Sequence, residues 1–182
     1  GVVYNEMQGV FSSPEEVLFS NIQHSLFPNH VYGFESGGDP DDIPNLSYEE
    51  FIDFHKCYYH PSNSRIFLYG DGSIENRLKF IHKEYLRKFT KSAIDSHIPL
   101  VNSYDNPDEI EKRYSISADE NEKEKTYLSM NFVTGDSNDL ELSMAMGILE
   151  YILMESPAAP LKNTLLGSRL GKDVFGSNNN HL

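Results

Sequence analysis

The sequence writes the same helix start twice, and the two copies divide its first third into bounded pieces. Ser13-Pro14-Glu15-Glu16 and Ser47-Tyr48-Glu49-Glu50 each place a serine at an N-cap with a glutamate three residues later. Pro14 adds the residue best tolerated in a first helical turn. Each start also has a proline stop, Pro28 and Pro61, beyond which a helix cannot run on without losing a backbone bond. The spacing therefore predicts helices over 14–27 and 48–59, with the Gly- and Pro-bearing stretch 29–46 between them as an ordered loop.

The rest of the chain alternates between two periods. Helical spacing returns over 74–89 through Leu78, Ile81, Tyr85 and Phe89, over 138–155 with Asp136 as its cap, and over 161–170. Three segments read as strands instead: 64–69 (SRIFLY), 111–117 and 125–133. In the last, Leu128, Met130 and Phe132 fall on one face and Tyr127, Ser129 and Asn131 on the other. Residues 91–108 lose all periodicity and read as a linker, and the tail 176–180 (GSNNN) reads as frayed. Mixed helices and hairpin-like strands make the expected class α+β rather than a doubly wound sheet.

Composition narrows function mainly by exclusion. A formal net charge of −13 disfavours nucleic acid and anionic membrane as partners and suits a cationic one. No apolar run is long enough for a bilayer-spanning helix. Cys57 is the only cysteine, so an internal disulfide and a cysteine-type zinc site are both ruled out. The chain begins inside a patterned segment without an initiator methionine, which reads as a piece of something longer.

One residue is out of place. Read as a helix, GVVYNEMQGVFS puts Val2, Val3, Tyr4, Met7, Val10 and Phe11 on a broad apolar arc, and Glu6 projects from within it. A carboxylate on a buried face costs several kcal/mol unless a cation or hydrogen-bond donor meets it. Pairing with an arginine, a lysine or a backbone amide is the simplest account. Other motifs resolve to structure. None of the seven histidines has an i, i+4 partner, and neither HExxH nor HxxEH occurs. His55 and Tyr59 share a helix face as packing residues. The run Glu35 to Pro40 does not follow a strand or lead into Gly-Lys-Ser/Thr, so it is a tight turn rather than a phosphate loop. YYHPSN at 58–63 is distinctive, yet its content is a helix end and a strand entry. Glu15, Glu16, Glu49 and Glu50 are explained by capping and the helix dipole.

Taken together, GVVYNEMQGVFSSPEE, then YGFESGGDPDDIPNLSYEEFIDFHKCYYHPSNSRIFLYGD, then LEYILMESPAAPLKNTLL closely resemble the presequence protease and falcilysin group. These are metallopeptidases of the pitrilysin and insulysin superfamily. The resemblance covers nearly the whole chain in the same order. It implies related α/β-sandwich domains, each an antiparallel-rich sheet with helices packed on it. Residues 1–90 would be the C-terminal part of the first, zinc-bearing domain, 91–108 a linker, and 109–182 the N-terminal part of a second, peptidase-like domain. It further implies a zinc endopeptidase that degrades targeting presequences and similar short unfolded peptides in a closed chamber. In that family two histidines and a general-base glutamate lie in HxxEH, and a glutamate on a later helix completes the zinc site. Carried over by position, that glutamate is Glu6.

HxxEH is absent here, so the resemblance places no catalytic residue in this chain and puts the general base upstream. The chain alone is expected to be inactive and to retain no Zn2+. Its expected partners are peptide substrates and the rest of its own polypeptide, with self-association through uncovered apolar faces a further expectation. The compartment implied is an organelle of mitochondrial or plastid type, with cytosol and food-vacuole-like compartments also open. A catalytically silent superfamily subunit with a scaffold or peptide-holding role is the alternative, and an unrelated acidic interaction domain a third.

Overall fold

A computed structural model describes residues 1–101, 104 and 106–179. Asn180 of the expected frayed tail and His181 lie outside the described residues. Among the described residues six α-helices follow in order: α1 (Val2–Val10), α2 (Pro14–Leu26), α3 (Tyr48–Tyr58), α4 (Ile74–Glu84), α5 (Leu140–Glu150) and α6 (Pro160–Ser168). Short 3-10 turns occupy Val31–Gly33, Ile43–Asn45, Pro61–Asn63 and Leu86–Lys88, and α5 runs on into a π turn at Tyr151–Glu155.

Local chemistry sets these boundaries. At α3 the capping box is complete: the Glu50 amide donates to Ser47 Oγ at 3.2 Å and the Ser47 amide donates to Glu50 Oε2 at 2.9 Å. At α2 the Glu16 amide reaches Ser13 Oγ at 3.4 Å, while Ser13 Oγ donates to Glu15 Oε2 at 3.0 Å. Ser73 caps α4 by accepting from the Asn76 amide at 3.3 Å. The cap of α5 is Asp139, which accepts from the Leu142 amide at 2.9 Å. Asp136, expected in that role, instead closes a turn by accepting from the Asn138 amide at 2.9 Å.

The α+β expectation is overturned: among the described residues 46% are helical and none is in a strand. The reason is pairing. A strand exists only when a neighbour takes its backbone amides and carbonyls, and among the described residues the backbone bonds outside the helices all join residues close in sequence. Segments 111–117 and 125–133 do approach through side chains. The Tyr114 and Tyr127 rings lie 5.9 Å apart, edge to face, and the Tyr114 hydroxyl donates to the Lys125 carbonyl. No ladder accompanies these contacts, so the alternating pattern buries nothing: Leu128 is 93% exposed, Met130 81% and Phe132 72%.

The chain divides into two compact units, Gly1–Val17 with Glu35–Val101, and Leu18–Phe34 with Asn102–Leu182. In the first, Met7 of α1 is buried against the turn at Gly37, where a Cβ would collide with its Sδ and come 2.8 Å from its Cε. In the second, Phe27 is buried in a ring cluster with His30 and Tyr32, at centroid distances of 5.9 and 5.8 Å. The same unit buries Ala159 and sets Phe19 edge-on to Phe175.

Candidate functional site

Glu6 sits in the middle of α1, and the structure places it in solvent. Of the apolar arc predicted around it, only Met7 is buried; Val2 is 85% exposed and Val3 53%. The expectation of an inward carboxylate is therefore corrected. Periodicity laid out an arc, but the turn at Gly37 closes over Met7, while Tyr4, Val10 and Phe11 are only half-buried. Among the described residues the Glu6 carboxylate makes no hydrogen bond and no ion pair, and in water it requires neither. Both of its carboxylate oxygens are open.

A zinc ion needs about four ligands, three of them from protein in a catalytic site. Among the described residues no group of three or more His, Cys, Asp or Glu side chains could hold a metal. Four of the histidines have other partners. His30 Nδ1 accepts from the Tyr32 amide at 3.2 Å, and His60 Nδ1 accepts from the Ser62 amide at 3.1 Å. His55 stacks on Tyr59 at 4.7 Å, as its helix spacing suggested, and His24 Nδ1 approaches the Gly33 carbonyl at 3.4 Å. The described residues thus do not fit a zinc site by themselves; they offer one open carboxylate.

The glutamates assigned to capping behave so at α3. The Ser47 hydroxyl, and after it the Ser47 amide, hold the Glu50 carboxyl below the ordinary carboxylate range. Lys172 does the same to Glu124, by hydrogen bond first and charge second. The Glu35–Pro40 run is a turn, in which the Gly38 amide donates to the Glu35 carbonyl at 3.0 Å.

Two arrangements were not legible as sites. A groove of about 400 Å³ is lined by Leu68, Asn76, Arg77, Phe80 and Ile81. Arg77 folds across the turn after segment 64–69, where Gly70 has φ +118°, and its Nη1 donates to the Tyr69 carbonyl at 3.2 Å. The other is the YYHPSN turn, where His60 is a cap rather than the end of a helix pattern. The sequence did carry that signal, a histidine two residues before a 3-10 turn's amide, and it occurs again at His30.

Comparison with known proteins puts these residues in context. A family model described as the peptidase M16 inactive domain matches residues 45–182. The chain is 49% identical over 180 residues to a Clostridium perfringens protein called Protein HypA, covering 99% of this chain and 18% of that protein. It is 41% identical over 180 residues to presequence protease 1, chloroplastic/mitochondrial, of Arabidopsis thaliana, covering 97% and 17%. To the mitochondrial presequence protease of Danio rerio it is 36% identical over 179 residues, again covering 97% and 17%. The chain spans less than a fifth of the length of each of these relatives.

Proposed function

The chain belongs to the M16 peptidase family, by its match to the inactive domain of that family, and on that premise we propose that it is a non-catalytic part of a zinc-dependent endopeptidase acting on short unfolded peptides. The observation that carries this reading is the agreement of relatives named presequence proteases along 97% of the chain. Released targeting peptides are the substrate class those names suggest, and a net charge of −13 suits basic peptides of that kind.

Within this reading, residues 1–90 close the zinc-bearing domain and 109–182 open the next, with 91–108 between them. Glu6 precedes the region matched by the inactive-domain model and is one zinc ligand of the assembled enzyme. Its support is an open, unpartnered carboxylate on a regular helix. The other ligands and the general base come from HxxEH outside this chain. Zinc, when held there, would supply an activated water and polarise the scissile carbonyl; the residues in hand take no step in that chemistry beyond offering one oxygen ligand.

The test is zinc per chain in the full-length protein, unmodified and as Glu6→Gln, after mild chelation. One firmly held zinc in the unmodified protein, lost or much weakened in the variant, is the expected result. Zinc retained equally by both would remove Glu6 from the ligand set. No zinc in the unmodified protein would favour the alternative, a silent peptide-holding subunit, which the description of the matched domain as inactive also accommodates.

A further inference from the structure

The YYHPSN turn does more than end α3. His60 Nδ1 accepts from the Ser62 amide at 3.1 Å and so caps the 3-10 turn Pro61–Asn63. That turn in turn holds a distant stretch of chain. Ser62 Oγ accepts from the Ser92 amide at 3.1 Å, and Asn63 Oδ1 accepts from Ser96 Oγ at 2.7 Å, across 30 and 33 residues of sequence. Asn63 is itself oriented by donating Nδ2 to the Tyr58 carbonyl at 3.0 Å. The His60 ring meets Phe89 edge-on at 5.2 Å, at the point where the strap 89–96 begins.

The cap works in one protonation state. For Nδ1 to accept an amide hydrogen, the neutral ring must carry its proton on Nε2. Protonation puts a hydrogen on Nδ1 as well, and donor then faces donor. We propose that His60 is a pH-sensitive catch: neutral, it holds the Pro61–Asn63 turn in the form that ties down residues 89–96, and protonated, it releases them. The catch is closed while the ring is neutral and opens when acid puts a second proton on it.

Other ionisable groups on the surrounding elements are His55 and Lys56 in the last turn of α3, Arg87 and Lys88 before Phe89, and Lys91, Asp95 and His97 on the strap. None forms a hydrogen bond or ion pair with His60 among the described residues; Lys56 pairs with Asp53, and Asp95 Oδ1 accepts from the His97 amide. His97 is the other imidazole on the strap and is the rival sensor.

The experiment is amide hydrogen exchange on the full-length protein at pH 8 and pH 5, normalised to intrinsic rates, over peptides covering 60–64 and 90–96. Protection there should fall on the order of fivefold at pH 5, the loss that removal of an N-cap brings. In His60→Asn, whose side chain caps without titrating, the two pH values should give equal protection. In His60→Ala, protection should be low at both. A flat profile in the unmodified protein overturns the proposal. So does a pH response that survives in either variant, which would assign it to His97 or another group, and so does an alanine variant as protected at pH 8 as the unmodified protein.

Discussion

The chain by itself should unfold over a shallower urea gradient than its length requires. Its accessible surface is 15717 Å². Two separately folded bodies sharing its mass of 20.8 kDa would together expose only about 10,800 Å² by the area–mass scaling of folded monomers. Such bodies would remove about 19,000 Å² of the unfolded chain's surface from water, and the excess of about 4,900 Å² is roughly a quarter of that. The urea m-value follows the area exposed on unfolding, so it should be about three-quarters of the value for closed bodies of this size. The uncovered surface is rich in large apolar side chains, with Phe67 86% exposed and Tyr69 89%, so a dye that reports exposed hydrophobic surface should bind before any denaturant is added. Urea titration followed by circular dichroism, with dye fluorescence in parallel, reads both quantities. A steep transition at the full m-value with no dye binding would refute the reasoning, because it would mean the apolar faces are covered.

Substitutions should separate the few closed positions from the many open ones. A Cβ at Gly33 would collide with the Phe27 carbonyl oxygen and lie 3.2 Å from its carbon, which is rigid backbone, so Gly33→Ala should cost about 2–4 kcal/mol in thermal or urea unfolding. Gly37→Ala meets only the far end of Met7 and should cost nearer 1 kcal/mol. Leu128→Ala, at a side chain 93% exposed, should stay within about 0.5 kcal/mol. The α3 cap should respond to acid: with the Glu50 carboxyl held low by Ser47, its contribution is complete above the ordinary carboxylate range, ~4.3, and is lost as pH falls through the lowered folded value. Amide exchange at 47–51 should show this in the unmodified chain and not in Glu50→Gln.

Helix limits were legible because the signals that set them are local. Ser47, Glu50 and Pro61 act within one turn of the backbone they satisfy, and α3 ends one residue short of the expected limit. The long pattern expected over 74–89 breaks at Glu84 into a 3-10 turn, which keeps Tyr85 and Phe89 in ring contact at 5.0 Å while ending the regular helix. Strands are not local in this sense. The alternation of Leu128, Met130 and Phe132 states which face is apolar; it cannot supply the backbone that would pair with it, and nothing among the described residues does. The same limit applies to YYHPSN. Its distinctiveness was visible, but the partners that give it a role lie some thirty residues on: Phe89 at the end of a stretch read as helix, and Ser92 and Ser96 in one read as a linker.

Glu6 shows where a wheel projection misleads. An apolar arc reports what a helix is able to bury, and burial needs a second surface; at α1 the turn at Gly37 fully covers Met7 and leaves Glu6 in water. The energetic argument for a counter-charge then lapses, since a solvated carboxylate pays no desolvation penalty. Solvation of Glu6 sharpens the zinc test. Replacing an exposed residue that has no partner among the described residues should change stability by no more than about 0.5 kcal/mol. Had Glu6 been a buried ion pair, Glu6→Gln would unfold the helix's surroundings and any metal loss would be ambiguous. Bound zinc itself stabilises the fold that holds it, so the comparison is made with both proteins stripped of metal: the variant should then melt with the unmodified protein, and a metal-free variant that melts markedly lower would point to a structural role that α1 as described does not give it.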